Sequence, residues 1–486
     1  MKRYVLLTVV LCITSLLNAQ SDAFKAYAEF KESVFNEYNG FREKANRHYA
    51  EELKNSYGKY KALPAIPEPD DDLLPIMIDE EKLIEMNEDR VITIDEMLLW
   101  EKPLPQPLPI SPIDEVPYPY GEENVPFEFY GTEASVRFNV SQGFSLETCD
   151  ANCISAAWDR LSSCVYNNTL ADCIAIRDTL QLCDWAYLNM LFAMAEACTR
   201  DKNSATMLAA YLYCQSGYQM RLGHDDNDEL VLLYGSQHTI YDNSYFSFDG
   251  VMFYPFNAEG KELGVYDVSY PNETPMSLLL SKEQKLAVAM SEPRILASSR
   301  YPELIVSSCV NRNMIDFYAS YPSSCINGNF MTRWAMYANA PMDASARASI
   351  YPAFAAALSD CNELEGVERL LNWVQTAFKY GYDDEVWGDD RAFFPEETLI
   401  YPFSDCEDRA ILFSRLVRDL YDLDVALIFY PNHLATAVKF SCDVPGDCIM
   451  VGEERFVVCD PTNGSSPVGK TMIGKDNSEA IAIMLE

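Results

Sequence analysis

Apolar and polar positions change their spacing several times along this chain, and each change marks a different kind of element. Val5 to Leu17 is a short, nearly continuous apolar stretch behind Lys2 and Arg3. Phe24, Tyr27, Phe30, Val34, Phe35 and Tyr38 then recur mostly at three- and four-residue steps, the period of an amphipathic helix. Asn39-Gly40 interrupts that run, and a second helical stretch is expected from Phe41 to Tyr60. Phe127 to Val140 alternates with the two-residue period of a strand. Helix-like segments follow near Asn152–Ser163, Leu170–Leu182, Trp185–Thr199 and Ala205–Met220. Short β-rich runs replace them at Leu230–Tyr234 and Tyr245–Phe248, with Asp249-Gly250 as a hairpin turn signal. Further on, Leu364–Tyr382 reads as a helix and Phe394-Pro395-Glu396-Glu397 opens a loop. A second helix runs from Cys406 to about Leu420, and Val425–Phe429, Leu434–Phe440 and Arg455–Cys459 read as successive strands.

This order of elements predicts an α+β protein in several parts. They are a signal segment over 1–20, a helical segment over 21–67, an acidic Pro-rich linker over 68–125, a helical and β accessory domain over 126–352, and a C-terminal domain over 353–486. The linker carries 17 acidic and 3 basic residues between Glu68 and Glu123. Pro103, Pro105, Pro107, Pro109, Pro112, Pro117 and Pro119 favour polyproline II, so the segment is expected to act as a semi-rigid spacer or a surface strap.

Charge and cysteine content narrow the setting. Lys+Arg is 37 and Asp+Glu is 74 in 486 residues, a net charge of −37. A field of that sign repels phosphate backbones, which excludes nucleic acid as a partner class. Lys2-Arg3, the apolar stretch and Asn18-Ala19-Gln20 have the layout of a cleavable export signal, cut after Ala19 or Gln20. No later run reaches the ~18 apolar residues of a membrane helix. The mature chain is therefore expected to be periplasmic, cell-surface or secreted. Of 15 cysteines only Cys12 lies in the signal, and the remaining fourteen fit an oxidising compartment, as structural disulfides or small buried apolar side chains. The four histidines are too scattered for a zinc site. His224 to Asp228 lacks the glycine and terminal Glu of an EF-hand and reads as an acidic turn.

Three C-terminal segments carry the chemistry. Ser404-Asp405-Cys406-Glu407-Asp408-Arg409-Ala410 puts a cysteine at a helix start, where the helix dipole favours a thiolate. Pro431-Asn432-His433-Leu434 leads a histidine into a strand, and Val458-Cys459-Asp460-Pro461-Thr462 ends the next strand on a carboxylate. Adjacent antiparallel strands can join His433 to Asp460, and the imidazole can then serve the Cys406 sulfur as base.

These residues, in this order and local structure, resemble the transglutaminase-like superfamily of papain-type thiol enzymes over roughly the last 120 residues. Tyr401-Pro402-Phe403-Ser404-Asp405-Cys406-Glu407-Asp408-Arg409, following Phe394-Pro395-Glu396-Glu397, is similar to an exported bacterial branch of that superfamily. The resemblance implies Cys406 as nucleophile, His433 as general base and then acid, and Asp460 as the orienting carboxylate. Two departures weaken amine transfer and favour hydrolysis: Glu407 replaces the Trp that follows the Cys of animal crosslinking enzymes, and Ala435 replaces the Trp of a common His-x-Trp.

Asp405, Glu407 and Asp408 crowd the thiol with negative charge, which Arg409 offsets in part. Early-helix acids of this kind complement the helix dipole; a bound Ca²⁺ on these three carboxylates is the metal expectation, and calcium-dependent proteases of the superfamily have a similar Asp-Cys-Glu-Asp stretch. The Cys406 backbone N–H, Tyr401 and Trp387 are candidate oxyanion donors. The expected function is thiol-dependent amide hydrolysis of a protein or peptide through a thioester, without an organic cofactor. A non-catalytic binding scaffold and a crosslinking acyltransferase are the alternatives.

Overall fold

The computed structural model describes residues 40–69, 91–93, 97–98, 105–111, 113–117, 120–142, 144–258, 262–381, 391–462, 464, 466–472, 475 and 480–486. The signal segment expected over 1–20, the Phe24–Tyr38 aromatic seam and Trp387 lie outside these residues. Helices and strands are mixed throughout, an α+β architecture. Among the described residues no helix is long and apolar enough to cross a membrane.

The accessory part joins a helical layer to an antiparallel sheet. Its helices are Ala151–Leu161, Asn167–Leu180, Asp184–Cys198 and Lys202–Gln215. Asp150 and Asp201 cap the first and last of these through backbone N–H groups of the opening turn. Lys202–Gln215 is apolar nearly all round and is buried from Ser204 to Gln215, as a central helix must be. Against it lies a six-stranded sheet in the order Tyr57–Lys61, Glu262–Tyr266, Met220–His224, Leu230–Ser236, Val251–Pro255, Phe246–Phe248. Leu230–Ser236 is buried on both faces: Leu230, Leu232 and Tyr234 join the helical core, whereas Val231 and Leu233 pack with Phe253 and Val265 on the other side. Asp249 and Gly250, both at positive φ, close the hairpin between Phe246–Phe248 and Val251–Pro255.

Several expected elements differ. The helix over 40–53 stops well short of Tyr60, and Tyr57–Lys61 is a strand paired with Glu262–Tyr266. The alternating run at Phe127–Val140 belongs to a hairpin, Glu122–Phe129 against Thr132–Asn139, because Tyr130 and Gly131 adopt positive φ and reverse the chain. Residues 91–93 and 97–98 of the acidic segment pair with the C-terminal sheet. Gln106 donates to the Leu182 carbonyl and to Asp184, fastening residues near it to the helical layer. Helix Ala344–Leu358 runs through the boundary expected at 352/353 despite Pro352, because Ile350, Phe354 and Leu358 are buried in the C-terminal core. That core also includes Leu296, Leu304 and Val306 of the hairpin Arg294–Ala297/Ile305–Ser308.

The C-terminal sheet has seven strands, in the order Val91–Thr93, Cys448–Val451, Glu454–Cys459, His433–Val438, Val425–Tyr430, Ile481–Met484, Met97–Leu98. Helices Glu363–Ala377 and Cys406–Tyr421 pack over it. Val367, Leu370, Leu371 and Val374 form the apolar stripe of the first, at helical spacing, and meet Leu412, Phe413, Leu416 and Val417 of the second. Gly366 allows the closest approach, since a Cβ there would fall on the Tyr421 ring. None of the fourteen described cysteines is in a disulfide; eight are buried, and two, Cys164 and Cys442, are exposed.

Candidate functional site

Cys406 is the first residue of helix Cys406–Tyr421. The Phe394–Glu397 segment forms a short helix, Pro395–Ile400, rather than a loop, because Pro395 occupies its first position, where a missing N–H costs nothing. Residues 401–405 then return the chain to Cys406, held by buried side chains. Asp408 accepts from the backbone N–H groups of Phe393 (2.9 Å) and Asp405 (3.2 Å). Arg409 donates to Ser404 Oγ (3.2 Å) and to the carbonyls of Gln375 (3.3 Å) and Phe378 (3.1 Å). Arg294 reaches across from its hairpin to the carbonyls of Leu399, Tyr401 and Pro402.

Strands Val425–Tyr430 and His433–Val438 form a hairpin whose last rung is Tyr430 with His433. Asn432 closes the turn in the left-handed region, which asparagine tolerates. On the other side His433–Val438 pairs with Glu454–Cys459 only from Thr436 onward. The chain leaves that strand through Asp460, and His433 Nε2 lies 2.8 Å from Asp460 Oδ2. Asp460 is itself held: Oδ1 accepts from the Thr462 N–H (3.0 Å), and its carbonyl accepts from Gln375 Nε2 (2.9 Å). The Asp460 carboxylate thus accepts a hydrogen bond from Nε2–H, which leaves Nδ1 as the ring nitrogen able to take a proton.

The thiol is closely enclosed, with Cys406, His433 and Asp460 exposed by only 1%, 4% and 1%. Cys406 Sγ lies 3.5 Å from Glu407 Oε2 and donates to that carboxylate. Burial pushes the thiol well above its ordinary range; Glu407 and then Asp405 push it the same way, and the Leu434 N–H opposes them. The helix-start advantage is therefore outweighed, and the resting group is a neutral thiol.

The acidic neighbours are directed to separate partners. Asp408 accepts backbone N–H groups at both oxygens, and Glu407 faces the sulfur. Among the described residues no group of three or more His, Cys, Asp or Glu side chains stands where it could hold a metal ion. The Tyr401 hydroxyl is drawn to Glu397. Glu397 also pairs with Arg391.

The triad sequence segments thus come together at one end of the C-terminal sheet, while their supports escaped sequence reasoning. Gln375, Arg294 and Lys475 lie far along the chain from the residues they hold, in segments with no motif. The chain matches no family model, no curated protein and no solved structure.

Proposed function

We propose that the protein is an exported thiol-dependent amide hydrolase acting on a protein or peptide, of the transglutaminase-like kind. The observation that carries this reading is the buried His433–Asp460 pair at 2.8 Å, with the N–H of the adjoining Leu434 turned to the helix-start Cys406. In the reaction, Cys406 Sγ attacks the amide carbonyl carbon while its proton passes to His433 Nδ1. Asp460 holds the imidazolium, which returns the proton to the leaving amine as the C–N bond breaks. His433 then deprotonates a water that hydrolyses the thioester and regenerates the thiol.

The enclosure of Cys406 and its hydrogen bond to Glu407 favour a second reading, a binding scaffold with an idle triad. Iodoacetamide labelling of the mature protein across pH, with and without calcium, separates the two when followed by peptide mapping. Selective labelling of Cys406 that is lost in His433→Ala supports the hydrolase. A Cys406 that stays unlabelled in the folded protein under both conditions supports the scaffold. Incorporation of a labelled amine into the acyl product would instead assign acyl transfer.

A further inference from the structure

Lys475 ties together the turn that presents His433. Its Nζ lies 3.1 Å from the Pro431 carbonyl and 3.0 Å from the Asn432 carbonyl, so one ammonium donates to both residues of the turn. Sheet pairing alone holds this region weakly. The Tyr430–His433 rung is the end of one ladder, and the ladder to Glu454–Cys459 begins three residues later at Thr436. Without a further tie, a turn containing a left-handed Asn432 has latitude to swing the imidazole. Lys475 is partly buried, and that burial works against its charge. The Asp460 carboxylate works to keep it protonated.

We propose that Lys475 is a positioning residue: its ammonium clamps the Pro431-Asn432 carbonyls and so holds the His433 ring against Asp460. The catalytic consequence rests on the hydrolase reading; the clamp itself rests on the hydrogen bonds alone.

The test uses the mature full chain labelled with ¹⁵N-histidine, in Lys475→Met and Lys475→Arg forms. The His433 ring N–H signal is assigned by its absence in His433→Ala, and iodoacetamide labelling of Cys406 is timed in parallel. In Lys475→Met the His433 signal should broaden or disappear. Labelling should slow about tenfold, the scale of losing one charge-assisted hydrogen bond. Lys475→Arg should restore the signal and most of the rate, with the unfolding midpoint of both variants near that of the parent. An unchanged His433 signal in Lys475→Met overturns the proposal, as does a lost midpoint with no rescue of the signal by Arg. If the signal follows Lys475 but Cys406 labels equally fast in the parent and in His433→Ala, the clamp stands and the hydrolase reading falls.

Discussion

Replacing Glu396 with Gln should flatten the pH dependence of stability. Glu396 lies in the short helix Pro395–Ile400 that feeds the chain to Cys406, and it is 1% exposed. Oε1 accepts from the Asp343 N–H, and the Tyr318 hydroxyl is drawn to the same carboxyl group. Burial, with a smaller push from the Asp343 charge, raises its pKa from 4.5 to about 7, against the pull of its hydrogen-bond donors. In the unfolded chain the group loses its proton near 4.5. Between those two values the unfolded state is deprotonated and the folded state is not, so stability falls as pH rises. The slope approaches 1.4 kcal/mol per pH unit, and the whole interval is on the order of 3 kcal/mol. The effect is absent below the unfolded value and complete above pH 7. Gln keeps the acceptor for Asp343 and cannot ionise, although its buried amide adds a roughly pH-independent cost of about 1–3 kcal/mol. Urea midpoints of both proteins, taken from about pH 5 to pH 8, provide the comparison. The stability difference should move by about 3 kcal/mol toward the Gln variant across that range. Parallel curves would refute the burial of an ionisable Glu396 as the cause.

Other substitutions test the site and its supports. Asp460→Ala removes a buried charge-assisted bond of about 1.5–3 kcal/mol, so Cys406 alkylation should slow by roughly 10- to 150-fold; a rate within twofold of the parent contradicts the triad. Glu407→Gln removes the charge that, after burial, contributes most to holding the thiol protonated. The pH at which Cys406 becomes reactive should therefore fall, as alkylation rate against pH will show. Asp408→Ala strands the Phe393 and Asp405 N–H groups, which should destabilise the fold by about 2–4 kcal/mol in urea unfolding. Asp408→Asn, which keeps one acceptor, should lose less.

How far the fold could be read from sequence depended on whether an element's own pattern matched the surface it meets. Helix Cys406–Tyr421 and strands Val425–Tyr430, His433–Val438 and Glu454–Cys459 are legible because their apolar periods fit a helix on a sheet. The central helices of the accessory part are legible for the same reason. Tyr57–Lys61 was not: its helix-like composition yields to an edge place beside Glu262–Tyr266. Pro352 suggested a boundary, but burying Ile350 and Phe354 on either side outweighs the hydrogen bond that proline forgoes. The hairpin at 122–139 looked like one strand because its alternation continues through the turn, and only the positive φ at Tyr130 and Gly131 reverses it.

The sequence by itself determined the candidate nucleophile, base and carboxylate, since each sits at a helix or strand end that local pattern defines. The tertiary structure decided the state of those groups. His433 meets Asp460 because the two strands pair only from Thr436 onward, leaving His433 and Asp460 beyond the end of the ladder, and no local spacing specifies where a ladder stops. Cys406 is a neutral thiol because the site is closed and Glu407 turns toward the sulfur. Gln375, Arg294 and Lys475 act on carbonyls distant in sequence, so their importance exists only once the chain has folded. Residue identity supplies the chemistry available, whereas burial and long-range hydrogen bonds set its protonation and aim, and those depend on the whole packed neighbourhood.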